Sequence, residues 1–217
     1  MVCIIVSGAV AVGKSFIINL LTEWFGEENI YLFPEFIHDD DVGQGLLKKS
    51  FKKEISPLTL QSYVMDKWLY NLKEGFTHSS ENKIKLFERL PIDAFEIFSS
   101  NLTESGKRCL LDIMKQMEEY FHYDYTFPPN ETLWIQYNNS LVHDNSKRLK
   151  ETIFHYIQSK KYIVIEIMSE NPFQNYLRRS RRGEIYSEDS INDIYKRYEN
   201  FLEVKRAQFI SSIITIN

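Results

Sequence analysis

The opening stretch of this chain constrains its fold more than any other. Val2 to Val6 is an unbroken apolar, β-branched run that stops at Ser7-Gly8, the pattern of a parallel strand buried on both faces. Gly8-Ala9-Val10-Ala11-Val12-Gly13-Lys14-Ser15 follows, a glycine, four residues, then Gly-Lys-Ser. Beyond it Phe16, Ile17, Leu20, Leu21 and Trp24 recur at helical spacing until Gly26 closes the segment. The spacing alone can occur by chance, but a buried strand before it and an amphipathic helix after it make it a phosphate loop. Amides of Gly8, Ala11, Val12 and Gly13 and the helix N-terminus can cradle phosphate oxygens, Lys14 can neutralise them, and Ser15 can ligate magnesium.

The same alternation continues. A short apolar run, Ile30 to Phe33, ends in Pro34-Glu35, and an acidic loop, His38 to Asp41, leads to glycine-spaced residues around Gly43 and Gly45. A helix is expected over Pro57 to Phe76, with Leu60, Val64, Trp68 and Leu72 on one face. A third strand, Lys83 to Phe87, ends at Glu88-Arg89, and Pro91 opens a helix expected to run to about Ser105-Gly106. A helix is expected from Cys109 to Tyr123. Thr132 to Tyr137 reads equally as a strand or as the start of a long helix, so Tyr123 to Lys161 is left open as a possible extra element. Tyr162 to Ile167 is a clear strand; an arginine-rich helix end, a polar turn, a helix Ile191 to Phe201 and a final apolar strand, Phe209 to Ile216, complete the chain. The order predicts one α/β domain over 1–217, with five strands in a mainly parallel sheet flanked by helices. Ligands then gather at the carboxyl ends of the strands.

Composition narrows the function. The chain is 43% hydrophobic and 26% charged, the balance of a soluble globular protein. Its two cysteines, Cys3 and Cys109, are far apart in sequence, and neither stands at metal-like spacing from a histidine, so a reducing compartment is expected, cytosolic or nuclear. No apolar run reaches bilayer length, which argues against a membrane partner. With 30 acidic against 26 basic side chains the net charge is −4, which disfavours nucleic acid as a partner.

Two further constellations bear on chemistry. Glu35 follows the second strand and Glu88 the third, the latter joined by Arg89. At the ends of parallel strands beside a phosphate loop, a carboxylate can serve as general base or hold magnesium through water, and an arginine can clamp a phosphoryl charge. Arg178-Arg179-Ser180-Arg181-Arg182-Gly183-Glu184 is the second. Such a run is often only a solvated face, but beside a phosphate loop it suits a lid, about 178–189, that covers the transferring group.

With these residues the chain resembles the deoxynucleoside kinase family. Glu35 looks like that family's general base, Leu58-Thr59-Leu60-Gln61-Ser62-Tyr63-Val64 like its glutamine-bearing helix, and Phe87-Glu88-Arg89 like its Asp/Glu-Arg-Ser motif. Tyr162 through Arg182-Gly183-Glu184 to Tyr198-Glu199-Asn200-Phe201-Leu202 is similar to its strand, arginine lid and following helix. The resemblance implies a P-loop kinase fold, ATP as donor with Mg2+, a deoxynucleoside as acceptor, and a homodimer. It further implies that Glu35 accepts the proton of the 5′-hydroxyl, Arg89 orients the reacting group, Glu88 helps hold magnesium, and Gln61 reads the base. Arg179 and Arg181, with Arg182, would cover the phosphates, and Glu184 would stand near the sugar 3′-hydroxyl. The chain departs from the family at Phe36, where a proline is usual, at Phe51, where a tyrosine is, and at Leu90, where a serine is. Two other readings share the loop: a thymidylate-type nucleoside monophosphate kinase, and a nucleotide-binding protein without catalysis.

Overall fold

The computed structural model describes residues 2–35, 40–78, 83–89, 91–117, 132–138, 142–169, 171–179, 187–209 and 213–216. The strands are β1 (Cys3–Ser7), β2 (Ile30–Phe33), β3 (Ile84–Glu88), β4 (Leu133–Asn138), β5 (Tyr162–Met168) and β6 (Ile213–Ile216). The helices are α1 (Lys14–Phe25), α2 (Asp41–Phe51), α3 (Pro57–His78), α4 (Pro91–Asp93), α5 (Glu104–Lys115), α6 (Val142–Tyr156), α7 (Pro172–Arg179) and α8 (Glu188–Phe209). The strands form one parallel sheet in the order β2-β3-β1-β5-β4-β6. β1 lies at its middle with every residue buried, which is why its sequence is continuously rather than alternately apolar.

The chain divides into two compact units, one of residues 1–32, 80–89 and 129–217, the other of residues 33–79 and 90–128. The first holds nearly all of the sheet. In it β1 pairs with β3 and β5, and β4 pairs with β5 and β6. The second packs α3 against α2 and α5. Along α3 the residues Gln61, Met65, Trp68 and Leu72 are buried and recur at helical spacing, so a polar side chain shares the apolar stripe.

Several expectations are corrected. The sheet has six strands rather than five, because Leu133–Asn138, readable either way in sequence, pairs on both edges and is strand. The expected helix from Pro91 to about Gly106 is broken. After α4 the chain makes a wide turn, Ala94–Phe98, closed by the Ser99 hydroxyl donating to the Ala94 carbonyl at 2.6 Å. Thr103 then starts α5, its hydroxyl accepting from the Gly106 amide, a cap that contributes about 1 kcal/mol. That helix ends at Lys115, short of Tyr123. The acidic loop expected to run to Asp41 ends at Asp40, which caps helix α2 with its carboxylate accepting from the Val42 amide at 3.2 Å, and Gly43 and Gly45 lie inside that helix. The last strand begins at Ile213 rather than Phe209, because α8 continues through Phe209. Most of the lid segment, 180–186, lies outside the described residues, as does 118–131.

Candidate active site

Each turn of the loop between β1 and α1 has a local cause. Gly8 has φ 137°, and a Cβ there would come within 2.9 Å of both the Ile167 carbonyl oxygen and a Val12 methyl group. Only glycine fits without strain. Gly13, at φ 108°, caps α1 in the left-handed region and offers no side chain to occupy the first amides. Ala11 also has positive φ, 59°, although it carries a side chain. Two carbonyls of the loop are held from outside. Lys14, which is buried, donates through Nζ to the Ala9 carbonyl at 3.1 Å, and the Tyr195 hydroxyl on α8 donates to the Val10 carbonyl at 3.3 Å. Val12 is buried beneath the loop, and Ser15 is exposed in the first turn of α1.

Glu88 and Arg89 stand beside this loop in the first unit. Glu88 is buried opposite Val6 in the β1–β3 register, and the Arg89 amide donates to the Val6 carbonyl at 2.9 Å. Arg89 is 5% exposed and takes φ 68°, a left-handed conformation unusual for a bulky residue. Its Nη1 donates to the Tyr198 hydroxyl at 2.9 Å, and the guanidinium carbon lies 6.0 Å from the centre of that ring.

The second unit carries the other candidates. Glu35 is half-buried two residues beyond β2, and Gln61 is buried on α3. On another side of α3, Tyr63 donates to the Asp40 carboxylate, which also faces the Lys67 ammonium at 3.7 Å. The Tyr63 hydrogen bond, foremost, holds the Asp40 carboxyl below its usual range. Asp93, at the end of α4, is a buried carboxylate.

Of the arginine run, Arg178 and Arg179 end helix α7, while Arg181, Arg182 and Glu184 lie outside the described residues, as do Phe36 and Leu90. The first unit therefore brings Gly8, Ala11, Val12, Gly13, Lys14, Ser15, Glu88 and Arg89 together, and the second holds Glu35 and Gln61. Sequence reasoning gave no role to Tyr195, Asp40 or Asp93, nor to Tyr198, which it placed in the helix after the lid. Tyr195 and Tyr198 share the buried face of α8 with Ile191 and Ile194. The available signal was chemical: a buried phenol needs a hydrogen-bond partner.

Among the described residues no group of three or more His, Cys, Asp or Glu side chains could hold a metal ion, and no helix is long and apolar enough to cross a membrane. No family model matches the sequence, and no curated protein matches it. Among solved structures the chain is similar to the structure of deoxyadenosine kinase from M. mycoides with bound dATP. The identity is 16%, the TM-score 0.51, and the match covers 99% of this chain and 90% of that one. The likeness is one of fold, and the fold this chain has is that of a P-loop kinase: a parallel sheet flanked by helices, with the phosphate loop leaving its central strand.

Proposed function

We infer that the protein is an ATP-dependent kinase that phosphorylates the 5′-hydroxyl of a deoxynucleoside. The observation that carries this reading is the pairing of a glycine-shaped phosphate loop with a buried Glu88-Arg89 at the end of the neighbouring strand. A protein that only binds nucleotide has no need for both. Loop amides and Lys14 hold the donor phosphates, and Arg89 offsets charge on the transferring group. Glu35 takes the proton from the acceptor hydroxyl. Gln61 reads the base, with Glu184 near the sugar, and Arg179, Arg181 and Arg182 cover the phosphates.

Magnesium suits this set. Ser15 is exposed at the start of α1 and Glu88 ends the strand beside β1, and both offer the hard oxygen donors that a small divalent cation prefers while it keeps water and phosphate oxygens. Bound there, the ion neutralises phosphate charge. A monophosphate acceptor is the weaker reading, because Lys67, the cation on the Gln61 helix that could meet its phosphate, faces Asp40 instead.

The test is transfer of labelled phosphate from ATP to each of the four deoxynucleosides and their monophosphates. Transfer to a nucleoside is expected, with Lys14→Ala abolishing it. Glu35→Gln should lower turnover by about a hundredfold or more while ATP still binds. Transfer only to a monophosphate, or ATP binding with no transfer to any acceptor, overturns the reading.

A further inference from the structure

Among the described residues three that are not glycine adopt positive φ: Ala11, Lys53 and Arg89. Lys53 is an exposed residue in the turn after α2. The other two belong to the first unit, one in the phosphate loop and one beside it, and two tyrosines of one helix bond to Arg89 itself and to the residue before Ala11. Tyr195 donates to the carbonyl of Val10, the residue before Ala11. Tyr198 accepts from Arg89 itself. The two phenols are one turn apart on α8, so they lie on one face, and both rings are buried, at 8% and 4% exposure.

A backbone held in a sparsely populated region persists only where its surroundings over-determine it. In a trans peptide the carbonyl and the following N–H point in opposite directions. With the Val10 carbonyl held by Tyr195, the Ala11 amide is therefore turned away from α8. A peptide fixed in this way offers an amide dipole of set direction, which suits an anion. At Arg89 the tyrosine acts on the side chain. One guanidinium nitrogen is spent on the phenol, and the ring lies against the guanidinium, which helps to set the direction of the side chain.

We propose that Tyr195 and Tyr198 are positioning residues, Tyr195 orienting the Val10–Ala11 peptide of the phosphate loop toward a nucleoside triphosphate and Tyr198 aiming Arg89 at the group being transferred. Neither touches substrate. The proposal rests on the kinase reading for Tyr198, and only on nucleotide binding for Tyr195. It makes α8 the common support of donor site and arginine.

The test uses the full-length protein with Tyr195→Phe, Tyr198→Phe and, as a control, Tyr70→Phe at an exposed tyrosine of α3. Affinity is read with a fluorescent ATP analogue, turnover by phosphate transfer, and folding by thermal denaturation. Tyr195→Phe should weaken nucleotide affinity by about three- to tenfold, the loss of one neutral hydrogen bond, with kcat little changed. Tyr198→Phe should leave affinity within about twofold and lower kcat by about tenfold or more, since that bond is made to a charged group. A purely structural role would lower affinity, kcat and melting temperature together in both variants, and that result overturns the proposal. So does an affinity of Tyr195→Phe equal to wild type. If wild type binds the analogue but transfers no phosphate, the kinase reading fails on its own, and the Tyr195→Phe affinity still decides the role of that residue.

Discussion

The indole Nε1 of Trp134 donates to Oε2 of Glu166 at 2.9 Å, and both side chains are buried on neighbouring parallel strands. Gln136 reaches the same carboxylate oxygen at 3.5 Å. Glu166 stands opposite Gln136 on β4 and Ser7 on β1. A carboxylate this deep is tolerated only when hydrogen bonds replace its water. Trp134→Phe removes one of those donors and part of the buried ring volume, so it should destabilise the fold by about 1–3 kcal/mol or more. Glu166→Gln, which still offers the indole an acceptor, should cost less. Urea denaturation measures both, and an unchanged midpoint for Trp134→Phe would show that the bond contributes nothing.

Two glycines should respond oppositely to alanine. At Gly8 the new methyl group meets the Ile167 carbonyl and a Val12 methyl group at 2.9 Å, in a backbone conformation that disfavours any side chain. Gly8→Ala should cost on the order of 1–3 kcal/mol and weaken nucleotide binding. Gly45 lies inside α2 with nothing within 4 Å of an added Cβ. Gly45→Ala should stabilise the protein by roughly 0.5–1 kcal/mol through helix propensity. Melting temperatures that move the same way for both would contradict this account.

Asp40 gives the second unit a pH dependence of known sign. Its carboxylate accepts from Tyr63 and the Val42 amide and faces Lys67, and its folded-state pKa lies below the unfolded value. A depressed carboxyl contributes stability above its unfolded pKa, about 3.9, and loses it as pH falls through the lower folded value. Asp40→Asn keeps the cap but removes the charge. The gap in denaturation midpoint between wild type and variant should hold steady from about pH 8 to pH 5 and close below about pH 4. A gap that persists into strong acid would place the effect elsewhere.

The two thiols should differ in reactivity. Cys3 is 2% exposed on β1, and burial pushes its pKa up to about 12, so thiolate is scarce at neutral pH. Cys109 is exposed on α5. A thiol reagent at pH 7.5 should modify only Cys109 in the native protein and both cysteines in denaturant. Rapid labelling of Cys3 in buffer would mean that β1 opens far more readily than a central strand should.

What could be read from the residues was local. The loop between β1 and α1 is encoded in eight consecutive positions, Gly8 to Ser15, because the conformations at Gly8 and Gly13 are ones that glycine alone adopts without strain. The apolar runs of β1 and β5 are legible for the same reason, and so is the stripe of α3 except at Val64, which is half-buried while Met65 beside it is buried, since burial periodicity follows from backbone geometry within one element. Thr132 to Tyr137 resisted because a short apolar run fits either a strand or a buried helix; pairing with β5 and β6 decided it. Asp40 resisted because the acidic run around it read as loop, while its partners Tyr63 and Lys67 lie on another helix.

The sequence by itself therefore determined the phosphate loop, the alternation of strand and helix, and the residues at the ends of β2 and β3. Only the tertiary structure decided the order of strands, the placement of β4 between β5 and β6, and the company each polar group keeps. Tyr195 reaches Val10 across 185 positions and Tyr198 reaches Arg89 across 109. No local pattern encodes such a pair. A turn or a cap is set by interactions among residues adjacent in the chain, whereas the partner of a buried phenol is chosen by whichever element the packed sheet and helices bring against it.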